Sequence, residues 1–481
     1  MKSSIVHRYI TTERGKKFIL LLQDFNIFSS LTSNFFPAKL MYKKTRYALL
    51  FLLAVVIPWI ALVECAHSLV KLDITQGNVE PLPVAIVPFE GNSQEDNELA
   101  TNITKIITSD LETSGLFRVI SSDAFLEKLT LNTQPNFSNW RKINASIVVT
   151  GRVDLLSAEG KVRVQFRSWD PFNETSIQAI SYSIHSGSWR RLGHKIADQI
   201  YQHLTGEKGY FDSRIAFIAE KGEQKSRIKR LATMDQDGAN LKFWTDGRDL
   251  VLTPRFDPQI QKITYLSYRN RIPQVFLLNL ENGLQKLVGN FQGMSFAPRF
   301  SPDGSALIMS IAVNGSTSIY EFNITNGSTR RLTNDMGTIS TSPSYSPDSG
   351  KIVFNSDRGG SRQIYVMNQD GSDVHRISFG DGTYATPVWS PRGDLIAFTK
   401  ILRGKFYIGV MRPDGGNERL LTTSWLEEAP TWSPNGRVIM FYRQFLDGES
   451  KLYAVDITGY HERLIPTPMS ASDPAWSPLL N

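Results

Sequence analysis

Seven histidines, at positions 7, 67, 185, 194, 203, 375 and 461, are the residues of this chain best suited to acid–base or metal chemistry. No two of them stand four apart, the spacing that sets a ligand pair on one helix face, and the nine-residue step from His194 to His203 points them to opposite sides of the helix predicted there. They read as packing or surface residues. The adjacent acids Glu427 and Glu428 could share proton transfer only inside a common pocket, and without one they are expected to be a solvated loop pair. A serine hydrolase would need Gly-x-Ser-x-Gly at a strand-to-helix turn, and that pattern is absent from the sequence. The one cysteine, Cys65, leaves no disulfide framework. With no cofactor loop and no metal constellation, the chemistry expected of the chain is recognition.

The elements that would carry a recognition surface come from a repeat. The phrases "PRFDP" at Pro254, "PRFSPDG" at Pro298, "PSYSPDSG" at Pro343, "PVWSPRG" at Pro387, "PTWSPNG" at Pro430 and "PAWSP" at Pro474 begin 44, 45, 44, 43 and 44 residues apart. Within each period Ser301-Pro302-Asp303-Gly304 or its equivalent suits a type I turn, because serine, proline and glycine favour positions i, i+1 and i+3. The turn is followed by apolar runs such as "KIVF" and "QIYVMN" separated by glycine-bearing breaks. Four short strands in about 40–45 residues make the blade of a β-propeller, and no helical periodicity competes with that reading. The last phrase starts a blade with only "LLN" remaining. Residues 211–253 supply the complement: "RIAFIAEK", "RIKRLATMD" and "ANLKFWT" read as second, third and fourth strands with no proline-led strand before them. Six blades are therefore expected, one of them split between the two ends of the domain. "PRFDP" lacks the Asp-Gly turn, so an irregular hairpin is expected there.

Loops that join one blade to the next lead into its innermost strand. The residues before each proline should then ring one mouth of the central channel: Leu252 and Thr253, Phe296 and Ala297, Thr341 and Ser342, Ala385 and Thr386, Glu428 and Ala429, Ser472 and Asp473. Met294, Tyr384 and Trp425 are expected to add contact area, since methionine and aromatic side chains are enriched in binding patches.

Ahead of the repeat, "LPVAIVPF" reads as a buried strand and Leu99, Ile103, Ile106, Ile107 and Leu111 as one face of a helix that Gly115 ends. "LFRVI" reads as a strand, "SSDAFLEKL" as the start of a short helix, then "ASIVVTGRV", "KVRVQFRSWD" and "ISYSIHS" as strands. A last helix spans about Trp189 to Leu204, with Gly206 just past its end. This is a compact α/β domain without a phosphate-binding glycine loop. Charge gathers at the start of the chain: residues 1–68 hold nine of the 53 Lys and Arg and three of the 46 Asp and Glu, so the remainder is within one charge of neutral. No basic stripe remains for nucleic acid, which is not expected as a partner. Lys43, Lys44 and Arg46 precede the apolar run Ala48 to Val63, and Ala66 and Ser68 fit a cleavage site, so residues 41–68 read as a secretory signal. The run is interrupted by Pro58 and shorter than the roughly 20 residues of a membrane span, so no direct membrane insertion is expected. Residues 1–40 precede that signal, and Met41 is expected to be the true start.

Together, the repeat phrase, the closing "PAWSP", the segment "GHKIADQIYQHLTGEKGYFDSRIAFI" and the "DITQG" after the leader resemble the TolB family of the Tol-Pal system over about residues 69–481; residues 1–40 have no counterpart. The fold class implied is multidomain, an N-terminal α/β domain over 69–208 followed by an all-β six-bladed propeller of the TolB type over 211–481. The resemblance implies a non-enzymatic periplasmic scaffold exported by a cleaved Sec-type signal. Such a scaffold would bind the peptidoglycan-associated lipoprotein Pal and the inner-membrane-anchored TolA, maintain outer-membrane integrity and support constriction in division. Colicins and other outer-membrane proteins are further partners it suggests, and it implies no cofactor and no metal. Carried onto this sequence, the TolA-binding strand is Lys71, Leu72, Asp73, Ile74, Thr75, Gln76 and Gly77. The Pal-facing positions are Thr253, Met294, Ala297, Thr341, Ser342, Thr386, Glu427 and Glu428. Two other classes remain open to the residues: an exported propeller hydrolase, which a serine-directed probe would label, and a propeller for sugars or other small ligands.

The leader reading makes a direct prediction. Precursor made from the native promoter should begin at Met41, and recovery of peptides from residues 1–40 by mass spectrometry would overturn it.

Overall fold

The computed structural model describes residues 80–223, 226–289, 291 and 293–480. Residues 1–79, and with them the leader and the segment Lys71 to Gly77, lie outside the described residues. Strand β1 (Leu82–Ile86) is followed by β2 (Glu90–Gly91), helix α1 (Gln94–Thr113) and β3 (Phe117–Val119). Helix α2 (Phe137–Lys142) leads into the long strands β4 (Ile147–Leu156), β5 (Lys161–Asp170) and β6 (Thr175–His185), and α3 (Arg190–Thr205) closes the domain. The sheet runs β3-β1-β4-β5-β6, with β1 parallel to both neighbours and β4, β5 and β6 antiparallel. Helix α1 starts where it does because Ser93 and Asp96 form a capping box, each side chain bonding the other's backbone N–H at 3.1 Å. Its apolar face, Ile103, Ile107 and Leu111, packs with Leu192, Ile196 and Ile200 of α3 on one face of the sheet.

The segment "SSDAFLEKL", expected to start a short helix, does not form one. Ser122–Ala124 is a single 3-10 turn, and the α-helix comes thirteen residues later, at Phe137–Lys142. The intervening chain is spent covering the sheet's other face: Leu129 and Leu131 are buried with Trp140 and Trp169, and Glu127 takes the N–H groups of Asn136 and the Trp140 indole.

Among the described residues six four-stranded antiparallel sheets follow. Five are continuous in sequence, with innermost strands Val251–Phe256, Met294–Phe300, Ser340–Tyr345, Thr383–Trp389 and Leu426–Trp432. The sixth is composite: the C-terminal strand Ser470–Trp476 lies beside β7 (Arg214–Lys221), then β8 (Ile228–Asp235) and β9 (Lys242–Phe243). The expected fourth strand "ANLKFWT" shrinks to the two residues of β9. In three of the five continuous blades a serine hydroxyl holds the turn into the second strand. Ser301, Ser346 and Ser433 accept the N–H of Ala306, Lys351 and Val438 at 2.9, 2.9 and 3.0 Å, and each serine N–H returns a bond to the same residue's carbonyl. Ser477 does the same to Arg214 across the chain ends, accepting its N–H and donating to its carbonyl, both at 2.8 Å. The seam thus reproduces the hairpin's hydrogen bonds without a covalent turn. The "PRFDP" hairpin is regular as well, because Asp257 bonds the N–H groups of Gln259 and Ile260 and pairs its own N–H with Lys262.

The seam is also where the two domains share a core. Trp476 stacks edge-on to Tyr210, its indole donates to Ser213 at 2.9 Å, and both rings belong to a cluster that runs through Ile200 and Ile196 into the α/β domain. Removing that ring opens a cavity common to both domains. Trp476→Ala is expected to lower unfolding free energy by about 3–5 kcal/mol, seen as a fall in the guanidinium midpoint followed by tryptophan-independent circular dichroism. A change below about 1 kcal/mol would show that the seam does not hold the two domains together.

Candidate binding mouth of the propeller

Every innermost strand breaks its ladder at the same place. Register shifts fall between Leu252 and Arg255, Phe296 and Arg299, Thr341 and Ser344, Ala385 and Val388, Glu428 and Thr431, and Ser472 and Ala475. In each gap the residue before the proline has left-handed backbone: Thr253, Ala297, Ser342, Thr386, Ala429 and Asp473, with φ between 45° and 57°. A proline cannot donate to the ladder and within sheets is confined to edges and bulges, and here each one sits at the bulge of an edge strand. A left-handed residue before proline is doubly disfavoured and costs about 1–3 kcal/mol. Six such residues at one level of the ring hold the chain in a conformation that only the packed neighbours can impose.

In an up-and-down blade, successive loops alternate between the two faces of the ring. The inter-blade loops and the hairpins between second and third strands therefore share the face on which the bulged ends of the inner strands open. The α/β domain and its connection meet the other face. There Asn435 donates to the Lys208 carbonyl at 3.0 Å, Arg392 and Arg437 pair with Glu207, and His461 contacts the Thr113 carbonyl at 3.1 Å. The open face carries large apolar side chains in solvent: Met294 is 51% exposed, Trp425 60%, Phe379 74%, Leu446 85% and Met336 93%. Met336, Phe379 and Leu446 escaped the sequence reading; apolar residues set in the loops "NDMGT", "FGDG" and "FLDG" were the available signal.

Of the positions expected at the mouth, Thr253, Ala297, Thr341, Ser342, Thr386 and Glu428 are part-buried around the bulges and Met294 stands at the rim. Thr386 bonds Thr399 at 2.9 Å, and Thr341 accepts from Asn355 at 2.8 Å. Two expectations are corrected. Glu427 is 0% exposed, with its carboxylate held by Arg443 at 2.8 Å and by the Thr422 hydroxyl and the Ile408 N–H. Strand alternation turns Glu427 toward the preceding blade and Glu428 to the other face of the sheet, so the two acids are not a solvated loop pair. Tyr384 is buried too, its hydroxyl donating to Glu418 at 2.8 Å. Burial and the Asp473 carboxylate of the next blade raise the pKa of Glu428, which accepts a bond from Tyr442 at 3.2 Å.

A second charged cluster lies between the domains. His194 of α3 is buried, with Nδ1 2.7 Å from the Asp110 carboxylate of α1, and Gln236 of the propeller donates to the same carboxylate at 2.8 Å. Ligand atoms of His194, Asp235 and Asp237 lie within 4.8 Å of one another, a set that could hold a metal by distance. Arg190 already takes that role: it pairs with Asp237 and lies 3.8 Å from Asp235, to which Asn240 also donates at 2.6 Å. The cluster is a clasp of fixed charges. Burial disfavours the imidazolium, but Asp110, Asp237 and Asp235 outweigh it and push the His194 pKa up to about 9.

An α/β domain on one face of a closed ring, with an apolar mouth on the other, defines a six-bladed propeller of the binding kind. The chain belongs to the TolB family: residues 201–480 match the TolB beta propeller domain and residues 70–177 the TolB amino-terminal domain. It is 48% identical over 414 residues to the Tol-Pal system protein TolB of Gluconobacter oxydans (strain 621H), covering 85% of this chain and 88% of that one. It is 48% identical over 431 residues to that of Rickettsia bellii (strain OSU 85-389), covering 86% and 97%. The crystal structure of TolB from Acinetobacter baumannii superposes with a TM-score of 0.74 at 27% identity, covering 85% of this chain and 99% of that one. The chain is thus a component of the Tol-Pal system, and among the described residues no helix is long and apolar enough to cross a membrane.

The clasp makes stability depend on pH in a defined direction. With a folded pKa of about 9 against the ordinary 6.5 of histidine, the stabilisation is complete below pH 6.5 and lost as pH rises through 9. The urea midpoint is expected to fall between those values by the equivalent of about 1–3 kcal/mol, and His194→Gln should flatten that limb. An alkaline limb unchanged in the variant would show that another group titrates there.

Proposed function

We propose that the chain is a non-enzymatic periplasmic scaffold that seats Pal on the open mouth of its propeller and engages TolA through Lys71 to Gly77. In this role it maintains outer-membrane integrity and supports envelope constriction in division. Colicins and other outer-membrane proteins are further ligands for these surfaces. The observation that carries the reading is the apolar rim around the six strained bulges, on the face the α/β domain leaves free. Exposed methionine, tryptophan and phenylalanine at the entrance to a channel gain most when a partner removes them from water. The open mouth offers no Gly-x-Ser-x-Gly nucleophile, which favours docking over the hydrolase alternative. Periplasmic placement and export are supported by the leader pattern and by membership of the Tol-Pal system.

Trp425→Ala and Met294→Glu are each expected to weaken Pal binding by at least about tenfold in calorimetric titration, with the thermal midpoint unchanged because both side chains are exposed. Unaltered affinity in both variants would remove the mouth as the docking surface. Deleting residues 71–77 is expected to abolish TolA binding. If the same segment is released when Pal docks, TolA must bind more tightly in the presence of Pal, and Pal more tightly in the presence of TolA by an equal factor. Identical TolA affinities with and without Pal would eliminate that coupling.

A further inference from the structure

Below the bulges the channel opens into a cavity of about 670 Å³ that reaches the turns on the face bearing the α/β domain. The residue after each inner-strand proline lines it, and the six equivalents are Arg255, Arg299, Ser344, Val388, Thr431 and Ala475. Two neighbouring blades thus contribute arginine, and the other four contribute small side chains that leave the space unfilled. Among the described residues neither guanidinium has an ion-pair partner. Arg255 donates to its own neighbour, the Pro254 carbonyl, at 2.6 Å, and Arg299 has no hydrogen bond. Nearby acids are spent elsewhere. Asp257, on the cavity wall, bonds the N–H groups of Gln259 and Ile260, and Asp473 lies up at the bulge, 3.4 Å from the Thr253 N–H, drawing on Arg255 only through space. Lys208 adds a third cation at the cavity's edge.

Two adjacent, part-buried cations without an ion-pair partner repel each other and lose part of their hydration. Burial and the neighbouring Arg255 both act against the charge on Arg299. Such an arrangement is stabilised by an anion placed between the two forks, because each guanidinium can grip a pair of oxygens. In the blade next to Arg299 and in the blade opposite it, Ser344 and Thr431 accept the N–H groups of Trp389 and Trp476 at 3.3 and 3.2 Å, which leaves their hydroxyl protons free to donate.

We propose that this cavity is an oxyanion-binding site for a small soluble molecule bearing a carboxylate or phosphate group, held by Arg255 and Arg299 and faced by the hydroxyls of Ser344 and Thr431. The volume suits a ligand larger than the anionic group alone. The site lies at the opposite end of the channel from the apolar mouth and stands or falls independently of Pal docking.

The full chain is titrated with succinate and, in parallel, with inorganic phosphate, against sodium chloride of matched ionic strength, by thermal unfolding and calorimetry. A saturable rise in midpoint with one or both oxyanions, exceeding that in chloride, is expected. Which oxyanion binds distinguishes a carboxylate from a phosphate ligand. Arg299→Met should raise the basal midpoint by removing the repulsion and abolish the saturable rise. Arg299→Lys, which keeps the charge but not the fork, should weaken binding by about tenfold. An effect that chloride reproduces, one that survives Arg299→Met, or none with either oxyanion overturns the proposal.

Discussion

Two hydrogen bonds between Ser477 and Arg214 stand where every other blade has a covalent turn. They close a ring that the chain otherwise leaves open, and the rest of the molecule is arranged around that closure. Beyond them, Ser472 donates to the buried Glu220 at 2.6 Å, and the C-terminal strand pairs with β7 from Ser470 to Trp476. The same strand brings Trp476 into the core that α1 and α3 build on the α/β sheet. One strand therefore closes the ring and fastens the second domain to it. A blade cannot cover both of its faces alone, so each sheet depends on its neighbours and the circle is stable only when complete.

Closure is also what makes the strained mouth possible. A left-handed residue before proline relaxes if it is free to do so, and here it is held six times by contacts from blade to blade. Ser344 and Thr431 each accept the N–H of the next inner strand's tryptophan, and the Trp432 indole donates to the Val388 carbonyl at 3.0 Å. The bulges place mostly short side chains on the inner strands, and the loops above them carry methionine, phenylalanine and tryptophan. The two faces acquire different characters as a result. One carries exposed apolar side chains in its loops; the other meets the α/β domain through Glu207, Arg392, Arg437 and the His194 clasp.

Much of this was legible in the sequence because a propeller writes its architecture as a period. The spacing of the prolines predicted six blades, and the orphan phrase "PAWSP" together with the proline-less strands from Arg214 predicted the split one. What the period did not convey was direction. Glu427, Glu428 and Tyr384 all precede the bulge, where alternation assigns neighbouring residues to opposite faces of the blade, but the sequence does not say which residue of each pair packs against the next blade. The rim residues Met336, Phe379 and Leu446 were hidden because loops carry no periodicity against which an apolar residue stands out. Helix α2 was misplaced because local propensity near Ser122 yielded to the need to cover the outer sheet face with Leu129 and Leu131. The two channel arginines are visible in "PRF", repeated only at Pro254 and Pro298, but their isolation from any carboxylate required the fold.

The C-terminal strand completes the ring, and removing residues 474–481 takes away that closure. Guanidinium unfolding of that truncated chain should lose the single cooperative transition of the full chain, with a markedly lower midpoint and an α/β domain that melts apart from the blades. A truncated chain that unfolds in one transition at the original midpoint would contradict that role of the strand.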